Sequence, residues 1–481
     1  MLLFTTKYSN FFIMMDNKFI FVLGSNFKLS LAELDNVLCF SRFKGKIVDY
    51  SANIAVVEFE DLHKNKHYIN DLMELQYLLG GCQKIAKVFD FVHINTLMEA
   101  FPSHIEKFKV VEKTRSKILT LIQNSLPKMF KRIKNGNLFF AVSIYPNFYD
   151  DEFYKNVLVK HLLPFLNKEI MNILKEMGAN KSLYYKYPEE NIQNGNLNPL
   201  FPHNLIKYGL FNEDRAEIVF GITEEGMYIG RTYSCDDPSF KKKIDEERPF
   251  KEFKSSISPK LAIIMLNFLN LFEERESKKI LDPFVGTGTI LLLATIEDFQ
   301  VYGTDNDAQK VNQAYRNLNW LFNELEEDVP FQLKNQISQV EIKNLSEHFE
   351  KSYFDGICTE PDLGPFFKNK PYYNEAMDLL ENKLIPLYSN AFREAEIILK
   401  PSGRIVIVAP IISTIDGSDV YANIEKIAVD NNFKVVPMMN LERIINKSNQ
   451  RLQFQKTQVR AFLDAKKGQV IKRKIFVFEK N

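Results

Sequence analysis

The chain has 481 residues, of which 45% are hydrophobic, 13% aromatic and 26% charged, and its formal net charge is +1. This length predicts two or three domains, and the composition excludes long disordered spans. The near-neutral charge does not exclude a nucleic-acid partner, because a balanced total can include a basic face.

The cysteines and the hydropathy pattern bear on the cellular compartment. The four cysteines are scattered without metal-like spacing, which argues against structural zinc and a disulfide framework and favours a reducing, cytoplasmic setting. No run of about eighteen apolar residues occurs, so we expect no membrane span. The apolar opening segment lacks a cleavage site. We interpret it as a ragged or wrongly assigned translation start upstream of Met14 or Met15.

The first predicted unit is an α+β unit over residues 1–95. The stretch "KFIFVL" predicts a strand, and the next helix is expected to open at Ser30, with Glu33 at the spacing of a capping box. "NIAVVEF" predicts the second strand. "DLMELQYLLGGCQKIAKVFDF" then predicts a helix, a Gly-Gly stop and a further strand.

A second unit is predicted over residues 96–240. Helical periodicity runs through residues 104–123, a strand follows at "LFFAVSIYP", and an amphipathic helix covers residues 154–177, which Gly178 is expected to end. "SLYYKYP" predicts a strand, "EENIQNGNLNP" a polar loop, and "AEIVFGIT" and "MYIGRTYS" continue the unit.

The rest of the chain predicts a connector and an α/β domain. The charged stretch from Asp236 to Lys254 lacks periodicity, so residues 241–258 are interpreted as the connector. Over residues 259–481 a helix is followed by alternating strands and helices. Such alternation indicates a mostly parallel, doubly wound sheet with helices on both faces.

The segment "ILDPFVGTGTILL" predicts a ligand site, because a strand, a tight glycine turn and a helix start follow one another. Gly286 and Gly288 would let a ligand approach the backbone, and the helix start offers N–H donors. A dinucleotide fingerprint needs a third glycine where Leu291 stands. S-adenosylmethionine fits better, because its positive charge favours the carboxylate of the Asp282-Pro283 pair.

Two later positions complete the predicted cofactor site. The next strand, "QVYGTD", ends in Asp305, at the spacing where a carboxylate accepts hydrogen bonds from both ribose hydroxyls. Asp307 is expected to cap the following helix instead. Asn344, in "VEIKNLSEHF", is the candidate for the adenine amino group, to which its carbonyl oxygen could bind; a surface loop is the structural alternative.

The segment "CTEPDLGPFF", residues 358–367, is expected where the fourth strand of this sheet ends. If the methyl acceptor is the exocyclic amine of a nucleobase, that amine is a poor nucleophile, because its lone pair is delocalised into the ring. Hydrogen bonds to the Glu360 side chain and the Pro361 carbonyl would localise that lone pair, and the carboxylate can take the released proton. We therefore predict Glu360 and Pro361 as the catalytic groups.

The residues after Pro361 are predicted to contact the substrate base. A flipped base normally stacks on an aromatic ring. Asp362 and Leu363 come first, and because Leu363 offers only a small apolar surface, Phe366 or Phe367 is expected to supply the platform. The structural alternative is a helix-entry loop that its Pro and Gly residues merely shape.

A basic cluster in the second unit is the candidate contact to RNA phosphates. It consists of Lys128, Lys131, Arg132 and Lys134, and Lys241 to Lys243 add charge in the connector. Lysine clusters usually only solvate a surface, but the set together predicts salt-sensitive binding.

These motifs together resemble the THUMP-containing tRNA guanine-N2 methyltransferases that act on position ten. The resemblance covers most of the chain: "FVLGSNFKLSLAELDNVL", "LGGCQKIAKV", "MYIGRTYSCDDPSFKKKIDEERPF", "SPKLAIIMLNF", "LDPFVGTGTILL", "GTDND", "DGICTEPDLGP" and "LKPSGRIVIVAP". It implies that the N-terminal half, a THUMP-like region, binds tRNA. The C-terminal half would be a Rossmann-like methyltransferase domain whose sheet closes with an antiparallel strand pair at "KKGQVIKRKIFVFEK".

The resemblance also assigns roles to residues. Asp282, Pro283, Gly286 and Gly288 would hold the methionine part of S-adenosylmethionine, and Asp305 its ribose. Glu360 and Pro361 would engage the guanine amine. Asp362 departs from the family's Asp-Pro-Pro-Tyr motif and from its Glu-Pro-Tyr-Leu-Gly-Pro variant.

The expected function is therefore direct methyl transfer to the N2 amine of a guanosine in tRNA. No cysteine is placed as the nucleophile that carbon methylation would need. The alternatives are a DNA or ribosomal-RNA amino methyltransferase and a non-catalytic RNA-binding protein that keeps the fold. The partners expected are tRNA and a small activating subunit, the chain being otherwise monomeric, and no metal is expected.

Overall fold

Two β-sheets organise the chain in the computed structural model. The model describes residues 17–60, 68–102, 108–147, 154–193, 199–252, 257–439, 444, 459–465 and 468–481. The prediction of a start near Met14 or Met15 lies outside these residues. Within the described ranges, no helix combines the length and the hydropathy needed to cross a lipid bilayer.

The first sheet has eight strands in the order β2-β3-β1-β4-β8-β7-β5-β6. Most neighbours are antiparallel, but β5 runs parallel to both β6 and β7. Its strands are β1 (Lys18–Leu23), β2 (Gly45–Tyr50), β3 (Ile54–Phe59), β4 (Cys82–His93), β5 (Asn137–Tyr145), β6 (Lys181–Tyr184), β7 (Arg215–Ile222) and β8 (Gly226–Cys235). The sheet continues across residue 95, where we predicted a boundary, and the domain limits stay a prediction.

Helices pack against this sheet and lead out of it. They are α1 (Phe27–Phe40), α2 (Tyr68–Leu78), α3 (Ile94–Ala100), α4 (Phe108–Met129), α5 (Leu163–Glu176), α6 (Glu189–Gln193), α7 (Pro202–Tyr208) and α8 (Pro238–Glu247). A π-helical stretch, Tyr154–Leu162, runs directly into α5. Gly178 follows α5 with a φ of 93°, as expected of a glycine that ends a helix.

The second sheet follows the order β11-β10-β9-β12-β13-β17-β15, with β14 paired to β13 and β16 paired to β17. Strands β9 to β13 pair in parallel, and β17 is antiparallel to β13. The strands are β9 (Lys279–Asp282), β10 (Gln300–Asp305), β11 (Ile337–Gln339), β12 (Phe354–Thr359), β13 (Leu399–Ser413), β14 (Asp419–Tyr421), β15 (Phe433–Val435), β16 (Ala461–Asp464) and β17 (Ile471–Lys480). This is the predicted Rossmann-like α/β sheet with antiparallel closing strands. The tail that was predicted to form the closing pair contributes one strand, β17, which pairs with β13, β15 and β16.

Helices cover both faces of the second sheet. Successive residues of its strands accordingly pack into different hydrophobic cores. On β12, Cys358 packs into one cluster and Ile357 into the other. The longer helices are α9 (Pro259–Asn267), α10 (Thr289–Ile296), α11 (Ala308–Glu324), α14 (Tyr373–Leu379), α15 (Ile385–Ile398) and α16 (Ile424–Asp430), and two one-turn helices are α12 (Leu333–Gln336) and α13 (Leu345–His348).

Three sequence predictions are corrected by the structure. Helix α1 begins at Phe27, with Asn26 at its N-cap, so Ser30 lies inside the helix and does not open it. The predicted connector contains α8, which Asp237 caps by accepting a hydrogen bond from the Ser239 N–H. Only Ile244 of α8 is buried, which explains the missing periodicity. The polar loop after β6 likewise begins with the short helix α6.

A buried ion pair lies inside the first sheet. Lys84 on β4 and Glu217 on β7 are both fully buried, with 2.6 Å between Nζ and Oε1. The hydroxyl groups of Ser143 on β5 and Thr232 on β8 also donate to Glu217. Because a buried charge is costly unless it is paired and hydrogen-bonded, this network ties four strands to one register.

The Glu33 carboxylate links the two halves of the chain. It accepts hydrogen bonds from the N–H groups of Gly80 and Gly81 at 2.9 and 2.7 Å, and from Asn267 Nδ2 on α9 at 2.8 Å. Asn36 of the same helix donates to the Asn267 carbonyl at 2.9 Å. Glu33 thus joins α1 to the helix that leads into the second sheet.

Burial raises the pKa of Glu33 from its ordinary value of 4.5 to about 7, although its three hydrogen-bond donors oppose that change. The folded state therefore holds a proton that the unfolded state releases, and stability falls as pH rises through this interval. We expect the wild-type chain to lose about 3 kcal/mol of unfolding free energy relative to Glu33→Gln between pH 4.5 and 7. Denaturant titrations at several pH values measure this difference.

The matched control for this prediction is Glu74→Gln, which alters an exposed ion pair with Arg42. That variant should follow the wild-type pH curve. A stability difference between wild type and Glu33→Gln that is the same at all pH values would contradict the prediction.

Candidate active site

A cavity of about 1040 Å³ opens at the carboxyl ends of β9, β10 and β12. Each strand ends in or just before an acidic residue that lines it: Asp282, Asp305 and Glu360. Parallel strands bring these ends to one edge of the sheet, which is where ligands bind in doubly wound folds. The structure therefore brings together the three acidic groups that the sequence singled out.

The two glycines of the turn differ in what surrounds them. Gly286 has a φ of 50° and lines the cavity, and a Cβ added there would meet no atom nearer than the Phe284 oxygen at 4.0 Å. Gly288 has a φ of 83° and is not among the lining residues; a Cβ there would lie 3.3 Å from Ala314 Cα on α11. Gly286 thus leaves space for a ligand, whereas Gly288 permits close helix packing.

Asp282 and Asp305 each accept a hydrogen bond from a neighbouring segment of the site, the end of β12 and the glycine turn respectively. Asp282 Oδ1 accepts from Thr359 Oγ1 at 2.6 Å, and Asp305 Oδ2 accepts from the Gly286 N–H at 3.0 Å. Burial raises the pKa of Asp282 to about 7, and the nearby Asp305 and Glu360 charges add to this. Burial also raises the pKa of Asp305. The lining, which includes Pro283, fits a ligand that carries positive charge and hydroxyl groups.

Asn344 is not among the residues that line this cavity. It ends a short 3₁₀ helix, Ile342–Asn344, and lines a separate pocket beside the large one. Glu341, which the sequence analysis missed, lines both. Its position in the sequence could have identified it, because Glu341 comes two residues after the end of β11.

Glu360 is ion-paired with Arg473 on β17, a residue that the sequence analysis did not single out. Arg473 Nε donates to Glu360 Oε1, and Nη2 lies 3.5 Å from Oε2. Both residues line the cavity, with only 11% and 15% of their side chains exposed. Burial raises the pKa of Glu360, while the charge and hydrogen bond of Arg473 oppose the rise.

The remaining residues of the motif form one wall of the cavity. Pro361 is buried, and Leu363 packs on the hydrophobic core. Asp362 is exposed and pairs with Lys383 at 2.7 Å. Phe366 is 66% exposed, whereas Phe367 packs partly against the core.

The Asn317 amide is one of the links that hold the connector against the glycine turn. Asn317 on α11 accepts from the Phe250 N–H at 3.0 Å and donates to the Phe250 and Thr287 carbonyls at 2.9 and 2.8 Å. Glu252 of the connector and Lys310 of α11 pair at the cavity wall. Asp307 caps α11 as predicted, by accepting from the Gln309 N–H at 2.8 Å.

The basic cluster lies in the first half of the chain, from the last turn of α4 to the segment before β5, and none of its members lines the cavity. All four side chains are exposed. Lys131 pairs with Glu213, and Arg132 Nε donates to the Lys134 carbonyl at 3.2 Å. The described residues contain no group of three or more side chains arranged to hold a metal ion.

Two curated proteins resemble parts of the chain, and both are named tRNA (guanine(10)-N2)-dimethyltransferase. The one from Pyrococcus abyssi is 28% identical over 140 residues, which are 29% of this chain and 38% of that protein. The one from Methanothermobacter thermautotrophicus is 37% identical over 81 residues, 16% of this chain and 23% of that protein. The matched segments thus span well under half of either relative.

Similarity to solved structures extends over most of the chain. No protein-family model matches the chain. The crystal structure of TrmN from Thermus thermophilus superimposes with a TM-score of 0.49 at 14% identity, covering 96% of this chain and all of that one.

The different surroundings of the two glycines predict different effects of an added methyl group. Gly286→Ala should lower the free energy of unfolding by about 1 kcal/mol, the cost of a left-handed alanine. Gly288→Ala should cost more, because its Cβ also lies 3.3 Å from Ala314. Denaturant unfolding measures both.

A double-mutant cycle with Ala314→Gly isolates the contact from the backbone strain. Removal of the Ala314 methyl should offset part of the cost of Gly288→Ala and none of the cost of Gly286→Ala. Equal costs for the two glycine variants, with no coupling to residue 314, would contradict the assignment.

Proposed function

We propose that this chain is an S-adenosylmethionine-dependent methyltransferase that modifies the exocyclic N2 amine of a guanosine in tRNA. The observation that carries the proposal is the position of the Glu360 carboxylate, which shares one cavity with Asp282, Asp305 and the glycine turn. The names of the two curated relatives support the substrate, over the short segments that match.

The cofactor would occupy the side of the cavity formed by β9, β10 and the turn between β9 and α10. Asp282 would attract the positively charged methionine part, and Asp305 would accept hydrogen bonds from the ribose hydroxyls. Gly286 leaves room for close approach. When bound, S-adenosylmethionine would supply an electrophilic methyl group for the amine nitrogen and a neutral sulfide as the leaving group.

Glu360 would prepare the amine and receive its proton. As a carboxylate it accepts a hydrogen bond from the amine, which returns electron density to the nitrogen. The Pro361 carbonyl would accept a second hydrogen bond. After transfer, the surplus proton passes to a Glu360 oxygen and from there to solvent, so charge and atoms balance.

The base itself would be held by the rest of the motif. Phe366 offers an exposed ring on the cavity wall for stacking, as flipped bases require. Leu363 and Phe367 would add apolar contacts, and Asp362 lies at the mouth with Lys383. Lys128, Lys131, Arg132 and Lys134 remain proposed phosphate contacts of the N-terminal half.

Glu360→Gln tests the proposal, because it keeps the size of the side chain and removes the proton acceptor. We expect methyl transfer to tRNA to fall at least about a hundredfold, with little change in S-adenosylmethionine affinity. Transfer of labelled methyl groups to bulk tRNA, followed by nucleoside analysis, should yield N2-methylguanosine with the wild type.

The control is Glu381→Gln, an exposed acidic residue in the same half, which should transfer at the wild-type rate. Formation of N6-methyladenosine would favour the rival amino methyltransferase. Binding of tRNA without any transfer would favour a non-catalytic RNA-binding protein.

The raised pKa of Asp282, about 7, predicts pH-dependent cofactor binding. Below that pH the carboxyl group is protonated and neutral, so its attraction for the cation is lost. Affinity for S-adenosylmethionine should therefore fall as pH drops through 7, approaching about tenfold per pH unit. Calorimetric titration at several pH values measures it, and Asp282→Asn should bind weakly with a flatter pH profile. An equally steep profile in Asp282→Asn would assign the effect to another group.

A further inference from the structure

The ion pair between Arg473 and Glu360 is set by the antiparallel closing strand. In β17, Arg473 lies opposite Pro410 of β13 on one side and Asp464 of β16 on the other. Its two lysine neighbours point elsewhere, since Lys472 pairs with Asp419 and Lys474 lies over the Tyr421 ring. From the basic run "KRK", only Arg473 lines the cavity.

The surroundings of Glu360 would otherwise favour a neutral carboxyl group. Burial disfavours its charge, and Asp464 on β16 and Asp282 on β9 add repulsion. The buried Tyr388 on α15 interacts with the Glu360 charge and offers no positive charge. Lys383 on the cavity lining is paired with Asp362. Arg473 is the cation whose charge and hydrogen bond act in the opposite direction, and guanidinium keeps its charge in proteins.

We propose that Arg473 selects guanine over adenine by holding Glu360 as a carboxylate that faces the hydrogen-bonding edge of the base. The inference rests on the proposed function and names the group that decides which exocyclic amine is methylated. Arg473 is in this sense a positioning residue, since it acts through Glu360.

The selection follows from the hydrogen-bond pattern of the two bases. An ionised carboxylate only accepts hydrogen bonds, through two oxygens side by side. Guanine presents two adjacent donors on its Watson–Crick edge, the N2 amine and N1–H, and so can satisfy both oxygens. Adenine presents its N6 amine next to the acceptor N1, which faces the second oxygen with no proton between them.

A protonated Glu360 would reverse this preference. Its O–H could donate to adenine N1 while the other oxygen accepts from the N6 amine. A buried polar group left without its partner costs about 1 to 3 kcal/mol, which corresponds to roughly a tenfold to hundredfold preference between the bases. The charge state of one carboxyl group thus decides between two substrates.

The test compares Arg473→Gln, Arg473→Lys and wild type on tRNA transcripts that carry either guanosine or adenosine at the methylated position. For Arg473→Gln we expect the ratio of N2-methylguanosine to N6-methyladenosine formation to fall at least tenfold. The acid limb of its pH–rate profile should move to higher pH, because more Glu360 is protonated. Arg473→Lys keeps the positive charge and should restore most of both.

Arg404→Gln is the matched control. Arg404 on β13 pairs with Glu479 on β17, and their side chains are 14% and 18% exposed. The variant therefore breaks a similarly buried ion pair at another position along β17. It should keep the wild-type base preference and pH profile. Melting temperature and S-adenosylmethionine affinity, measured for each variant, separate a folding defect from a specificity change.

The outcomes distinguish the inference from the proposed function. If wild type methylates guanosine and Arg473→Gln keeps both the base ratio and the acid limb, the inference is wrong and the proposed function stands. If wild type transfers no methyl group to either transcript or to bulk tRNA, the proposed function fails and the inference with it.

Discussion

The central constraint in this protein is the convergence of three carboxylates at one edge of a parallel sheet. Asp282, Asp305 and Glu360 end or follow neighbouring strands and line one cavity, where burial and mutual repulsion oppose their charges. Such a site stores an unfavourable electrostatic energy that a positive group relieves. Arg473 supplies that group for Glu360 from within the chain, and under the proposed function the cationic part of the cofactor would supply it for Asp282.

The parts of the site that the sequence predicts are those encoded locally. The glycine turn, Asp282, Asp305 and Glu360 each stand at the end of a readable strand, and parallel pairing then brings them together. Arg473 comes from a strand 113 residues later, and its partner is set by the antiparallel register of β17. No local pattern distinguishes it from Lys472 and Lys474, so its position required the structure.

The fold shows the same division between local and long-range information. Alternating apolar residues predict most strands, but β2 was missed because it contains the buried Asp49. Distant residues satisfy that carboxylate: Thr223 Oγ1 at 2.6 Å and the Tyr228 hydroxyl at 2.9 Å. The capping box predicted at Ser30 failed for a similar reason, because Glu33 serves Gly80, Gly81 and Asn267 instead of its own helix end.

The Asn317 side chain couples the connector to the glycine turn. One amide group holds the Phe250 backbone on one side and the Thr287 carbonyl on the other. The polypeptide that leaves the first sheet and the loop that surrounds the glycines are thus both bonded to Asn317. A displacement of the connector backbone would therefore be transmitted through Asn317 to Thr287, which lines the cavity.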